Sequence, residues 1–133
     1  MEKISIAIHQ LNRSIEMFLD DKDYICSITL SGASEEILGK AVEYEGEINS
    51  LNELIDGLKE ISGEAISSKD LRNEYLNNVR NSIKHYSNIE DSSVTTNWEA
   101  QAVQLIARCC SNVIKLKREP SYQMSRFIEW SGI

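Results

Sequence analysis

With 133 residues, one proline and six glycines, the chain can bury one core but lacks the turn-forming residues an all-β fold needs. A net charge of −7 excludes a protein that coats nucleic acid by its overall charge, though an acidic body can still carry a small basic cleft. The three cysteines, Cys26, Cys109 and Cys110, are odd in number and two are adjacent. That is a poor disulfide framework and a poor zinc site, so they read as core residues of a protein in a reducing, cytoplasmic compartment. "MEKISIAIHQLNRSIEMFL" has no signal-peptide apolar core, and no stretch approaches the roughly 20 apolar residues of a membrane helix.

Taken in chain order, the apolar residues recur at helical spacing. Ile4, Ile8, Leu11, Ile15, Phe18 and Leu19 predict a helix over 2–19. "DDKD" (20–23) breaks it and suits the start of the next helix. A second helix spans 23–45, with Cys26, Leu30, Ala33, Ile37, Leu38 and Ala41 on one face. Ile25, Ile28, Gly32 and Gly39 lie opposite, so this helix is either central in a bundle or meets another subunit. Its run "SGAS" (31–34) allows a neighbouring backbone to come close. Ser50 with Glu53 predicts a capping box opening a helix over 51–67. "SSKD" (67–70) caps a fourth helix over 70–87. A serine-rich loop (87–96) precedes a fifth helix over 97–118, opened by a second capping box, Thr96 with Glu99, and stopped by Pro120. Phe127, Ile128 and Trp130 anchor a short C-terminal helix. The expected fold is all-α: one domain over 1–133, an antiparallel up-and-down bundle of about five helices with a short C-terminal helix.

The chemistry concentrates in "NNVRNSIKHYS" (77–87), which holds one of only two histidines. Projected at about 100° per residue, Tyr75, Val79, Ile83 and Tyr86 form the expected core face of the fourth helix. Arg80, Asn81, Lys84 and His85 fan over the side away from it, with Asn81 and His85 one turn apart. Histidine can move a proton near neutral pH, and arginine and lysine suit a phosphate or the charge that builds on it. The group therefore suits RNA cleavage without a metal or other cofactor. His85 would take the proton from a ribose 2′-OH, and Arg80 would stabilise the charge on the phosphate oxygens. One histidine leaves the departing 5′-oxygen without a proton donor, which a symmetric dimer would supply. Of the acids Glu35 and Glu36, one is expected to orient Arg80 or His85, and Glu36 is the candidate. The alternative is an acid pair at the helix edge reaching solvent.

"RNSIKH" (80–85), near the end of a helix in a small all-α chain, resembles the motif of the HEPN superfamily, with Asn81 as the polar residue after the arginine. "DDKDYICSITLSGASEEILGK" (20–40) is similar to the second helix of small bacterial HEPN-like proteins. The resemblance implies a bundle of four or five helices and a homodimer in which two motifs form one cleft. It also implies a metal-independent endoribonuclease of a toxin–antitoxin or phage-defence system, with RNA as substrate and an antitoxin or other protein as partner. Arg80, Asn81 and His85 would be the catalytic residues. Ser87 stands where members paired with a nucleotidyltransferase antitoxin carry a tyrosine. Because some HEPN domains are not catalysts, the alternative is a bundle that binds a nucleotide, RNA or a protein.

Overall fold

The computed structural model describes residues 1–63 and 66–132, and every regular element among them is helical. The helices are α1 (Lys3–Glu16), α2 (Tyr24–Tyr44), α3 (Ser50–Ser62), α4 (Ser68–Asp70), α5 (Asn78–Ser82), α6 (Trp98–Lys115) and α7 (Tyr122–Ser131). Two wider, π-helical stretches interrupt them, Met17–Asp21 after α1 and Leu71–Leu76 between α4 and α5. No helix among the described residues is long and apolar enough to cross a membrane.

The first helix forms for the reason its spacing gives. Leu11, Ile15 and Phe18 are buried and Ile4, Ile8 and Leu19 pack against them. Lys22 turns the chain in a left-handed conformation (φ 54°), and the Asp23 carboxylate then caps α2 by accepting from the Cys26 amide at 3.1 Å. Ser14 bonds Ser27 and Ser34 donates to the Ala7 carbonyl at 2.7 Å. These contacts run in opposite senses along the two helices, so α1 and α2 are antiparallel.

The second helix is central. It lies against α1 on one side and α6 on the other, so of the two alternatives for its second face the intramolecular one is realised. The expected faces are met in part: Leu38 and Ile28 are fully buried and Ile37 and Ala41 pack on the core, but much of the buried surface is small or polar. Ser27, Ser31, Gly32, Ser34, Glu35 and Gly39 are buried, whereas Ile25 and Cys26 are exposed. Small residues win these faces because they let helices approach closely, and each serine hydroxyl finds a partner: Ser31 the Ser27 carbonyl at 2.6 Å, Ser34 the Ala7 carbonyl and Ser27 the Ser14 hydroxyl. Cys109 and Cys110 are buried as expected. Burial pushes the Cys110 thiol up to about 12 and raises Cys109 as well.

Both predicted capping boxes are displaced by one residue. Asn49, not Ser50, caps α3 by accepting from Asn52, because the amide and hydroxyl of Ser50 both donate to Asn112 at 2.9 Å. Asn97, not Thr96, caps α6 through the Ala100 amide. The cap at Ser67 forms as read. The third helix ends at Ser62 with Gly63 left-handed (φ 67°). The expected reach to 67 is not met, since 66 and 67 are not helical; 64–65 fall outside the described residues, as does Ile133 in the C-terminal helix.

The largest departure is the fourth helix. In place of one helix over 70–87 there are α4, the π-helical stretch, a break at Asn77 (φ −111°, ψ 3°), and the five-residue α5. An α-helix would set Leu71 and Leu76 about 140° apart. The wider turn lets both enter a small second core with Leu51 and Ile55 of α3. The expected face Tyr75–Val79–Ile83–Tyr86 does not form. Tyr75 and Tyr86 are exposed, and only Val79 and Ile83 reach the main core.

The C-terminal helix docks on the end of α1 as its apolar anchors suggested. Phe127 is buried, and Trp130 stands edge-on to Phe18 with ring centres 4.9 Å apart. Outside this contact Arg126 bonds both oxygens of Asp20, at 2.7 and 3.2 Å, and holds the Asp20 carboxyl below its ordinary 3.8. A depressed native pKa gives stability that is present above the unfolded value and lost as pH falls through the native one. The contact of α7 with α1 should therefore loosen as pH falls below 3.8. A red shift of tryptophan emission over that range, absent in Asp20→Asn, checks it.

Candidate functional site

The polar residues singled out near the chain's middle are divided by the fold into a buried half and an exposed half. Arg80 was expected on the solvent side, yet it is 9 % exposed. Its stem crosses α2 at Gly32, where a methyl group would lie 2.7 Å from both Cγ and Cδ of the arginine. The glycine of "SGAS" thus admits a side chain rather than the neighbouring backbone the sequence suggested. The pull inward is electrostatic: Nη1 of Arg80 lies 3.5 Å from Glu35 and Nη2 lies 3.1 Å from Glu36.

Glu35 is 4 % exposed and serves two arginines. One of its oxygens also takes a short hydrogen bond from Nη2 of Arg108, and that same nitrogen donates to Asn77 Oδ1 at 3.0 Å. Burial lowers the pKa of Arg108, and the Glu35 carboxylate opposes that shift. The trio ties α2, α6 and the Asn77–α5 junction together between the two cores. Each buried charge has an opposite charge at hand, as burial requires. Asn77 breaks the helix because its side chain is committed to this cluster instead of to solvent.

Arg108 and Asn77 carry no weight in the sequence reading, and there was a signal for one of them. A glutamate on a helix packed on both sides needs a buried cation. Arg108 sits beside Cys109 on the apolar stripe of α6, four residues before the buried Asn112. Glu36, the candidate orienting acid, does contact Arg80, while its side chain remains 54 % exposed and also reaches Lys84 at 3.8 Å. Both readings of the acid pair hold in part: one member goes inward and the other stays at the rim.

Asn81 is half-buried, and Lys84 and His85 are exposed. His85 lies past the end of α5, in a turn closed by its amide on the Ser82 carbonyl. It lines a shallow depression with Lys84, Tyr86, Asp91 and Ser93. Arg80 lines another depression, of about 260 Å³, with Glu36, Arg72 and Asn77. Within one chain, then, Arg80 and His85 do not face the same hollow. Lys84 stands between them, one residue from His85 and in reach of the Glu36 that holds Arg80. No three His, Cys, Asp or Glu side chains among the described residues are grouped to hold a metal ion.

No protein family model, curated protein or solved structure matches the chain.

Gly32→Ala tests whether the buried half is as tightly built as its distances imply. The added methyl must displace the middle of the Arg80 side chain, which Glu35 and Glu36 hold. The expected cost is about 1–3 kcal/mol, the range for overpacking. With Arg80→Ala the obstacle is gone and the same change should cost nothing, or stabilise by up to about 1 kcal/mol through helix propensity. Urea unfolding of the four forms measures the difference.

Proposed function

We propose that this protein is a HEPN-type endoribonuclease that cleaves RNA without a metal, with His85 moving the protons and the active cleft shared by two copies in a homodimer. The observation that carries the reading is the exposed His85, next to Lys84, on a turn held to the core by the buried Arg80–Glu35 contact. A histidine so placed is open to a substrate yet attached to a rigid element, as proton transfer requires. In this reading His85 accepts the proton of the 2′-OH, that oxygen attacks the phosphorus, and the 5′-oxygen leaves with a proton from the histidine of the second copy. The products are a 2′,3′-cyclic phosphate and a 5′-hydroxyl. Lys84 and Asn81 contact the phosphate, and Arg80, held by Glu35, both fixes the turn and presents Nη2 at the rim. Exposed Tyr86 and Ile89 beside the turn are apolar surface that a second copy would cover. A role in a toxin–antitoxin or phage-defence system, with a protein antitoxin, follows the same resemblance.

A second reading, a bundle that binds RNA, a nucleotide or a protein without cleaving, is favoured by one observation. Arg80, the expected stabiliser of phosphate charge, is engaged by two carboxylates. One experiment separates the two. Purified protein is incubated with RNA in EDTA beside His85→Ala, and product ends are identified. Cyclic-phosphate ends from the wild type alone support the nuclease. Intact RNA in both, with the protein a folded dimer, leaves the binding reading.

A further inference from the structure

One oxygen of Glu36 sits between two cations of the motif. Oε1 lies 3.1 Å from Arg80 Nη2 and 3.8 Å from Lys84 Nζ, bridging the two cations of the motif. The carboxylate is more than half exposed, whereas Arg80 beneath it is nine-tenths buried.

The buried part of the cluster is short of negative charge without it. Glu35 alone faces both Arg80 and Arg108. Nε and Nη1 of Arg80 are buried with no hydrogen-bond acceptor among the described residues, Nη1 being near Glu35 but out of line for a bond. With two guanidiniums against one buried carboxylate the cluster holds one positive charge in excess, which an anion at the rim offsets through Nη2 of Arg80. In the free protein the exposed Glu36 fills that role. Phosphate suits the same place better, since it offers several acceptor oxygens to a guanidinium and an ammonium at once. Arg72 and Lys40 line the same depression as Arg80, beside the carboxylates of Glu35, Glu36 and Glu43, and one guanidinium nitrogen of Arg72 is bonded to Asn52 at 2.7 Å.

We propose that Arg80 and Lys84 form a binding edge for a phosphate of the RNA backbone, and that Glu36 occupies this edge in the free protein and must yield it to substrate. The inference deepens the ribonuclease reading and rests on it for what carries the phosphate. It also gives Glu36 a role opposite to the supporting one expected for it: the carboxylate holds the cations in place but competes with the ligand.

The test uses a fluorescently labelled, single-stranded 2′-O-methyl oligoribonucleotide, which lacks the attacking hydroxyl and cannot be cut by this chemistry. Its affinity is read by anisotropy at low salt. Glu36→Gln keeps the side chain's shape and should bind at least about fivefold more tightly, the scale set by removing one charge a few ångströms from the ligand. Glu129→Gln, an exposed acid on α7, controls for the change in net charge and should show no comparable gain. Adding Lys84→Ala to Glu36→Gln should abolish the gain. Equal affinities for Glu36→Gln and Glu129→Gln would overturn the proposal. Competition by inorganic phosphate without any tightening toward the oligomer would overturn RNA as the source of the phosphate. Cleavage of unmodified RNA is scored separately. Tightening without cleavage by any form rejects the nuclease and leaves the phosphate edge. Cleavage lost in His85→Ala without tightening in Glu36→Gln rejects the edge alone.

Discussion

Glu35→Ala should lower the stability of this protein by about 3–5 kcal/mol, the loss expected when one partner of a buried charge group is removed. The substitution leaves two guanidiniums, Arg80 at 9 % and Arg108 at 4 % exposure, facing each other with no carboxylate between them. Arg80, which anchors α5, then keeps only the half-exposed Glu36 at the rim, and Arg108, on α6, keeps no carboxylate. Against a total of about 5–15 kcal/mol for a domain, the change should lower the melting temperature by on the order of 10–20 °C. The arginines exist to be paired here, so replacing all three charges together is the informative companion. Glu35→Leu with Arg80→Leu and Arg108→Met should recover most of the loss, because apolar groups of similar volume need no partner. Thermal and urea unfolding check both. A shift no larger than about 0.5 kcal/mol for Glu35→Ala, the level of an ordinary surface change, would mean the cluster is not what joins the two cores.

His85→Ala should do the reverse, removing activity while leaving stability intact. The imidazole is exposed beyond the end of α5, so its removal opens no cavity and unpairs no buried group. If it moves the protons of RNA cleavage, its loss should reduce the rate by about 10²- to 10⁴-fold, the usual contribution of a positioned acid–base, with an unchanged melting temperature. Arg80→Ala gives the contrast. It should lose stability first, since Glu35 then keeps only one of its two arginines, and its activity should be judged on the fraction that remains folded. Rates of RNA cleavage in EDTA beside melting curves for the two variants separate the residue that works from the residue that holds. Equal rates for wild type and His85→Ala would remove the histidine from the mechanism.

The helical class, the C-terminal anchors and the course of α1, α2 and α6 were legible because they depend on local patterns. Apolar residues three and four apart, few glycines and one proline admit little else. The motif "RNSIKH" was visible for the same reason, as residue types at a spacing. The fourth helix was not legible, since Leu71, Leu76, Asn77 and Arg80 answer to three different neighbours at once. A regular projection cannot represent a widened turn followed by a break. Nor could a projection decide that Arg80 goes inward, because that depends on a glycine 48 positions earlier making room and on a carboxylate on the same helix attracting it.

By itself, then, the sequence determined an all-helical chain with small residues on its central helix and a basic, histidine-bearing motif further on. Only the tertiary structure decided which of those polar groups are buried. Burial of a charge is settled by what stands opposite it, and here Glu35, Arg80 and Arg108 are brought together from three separate elements. The exposed remainder, Lys84 and His85 with Glu36 at the rim, is the part of the motif left open to solvent.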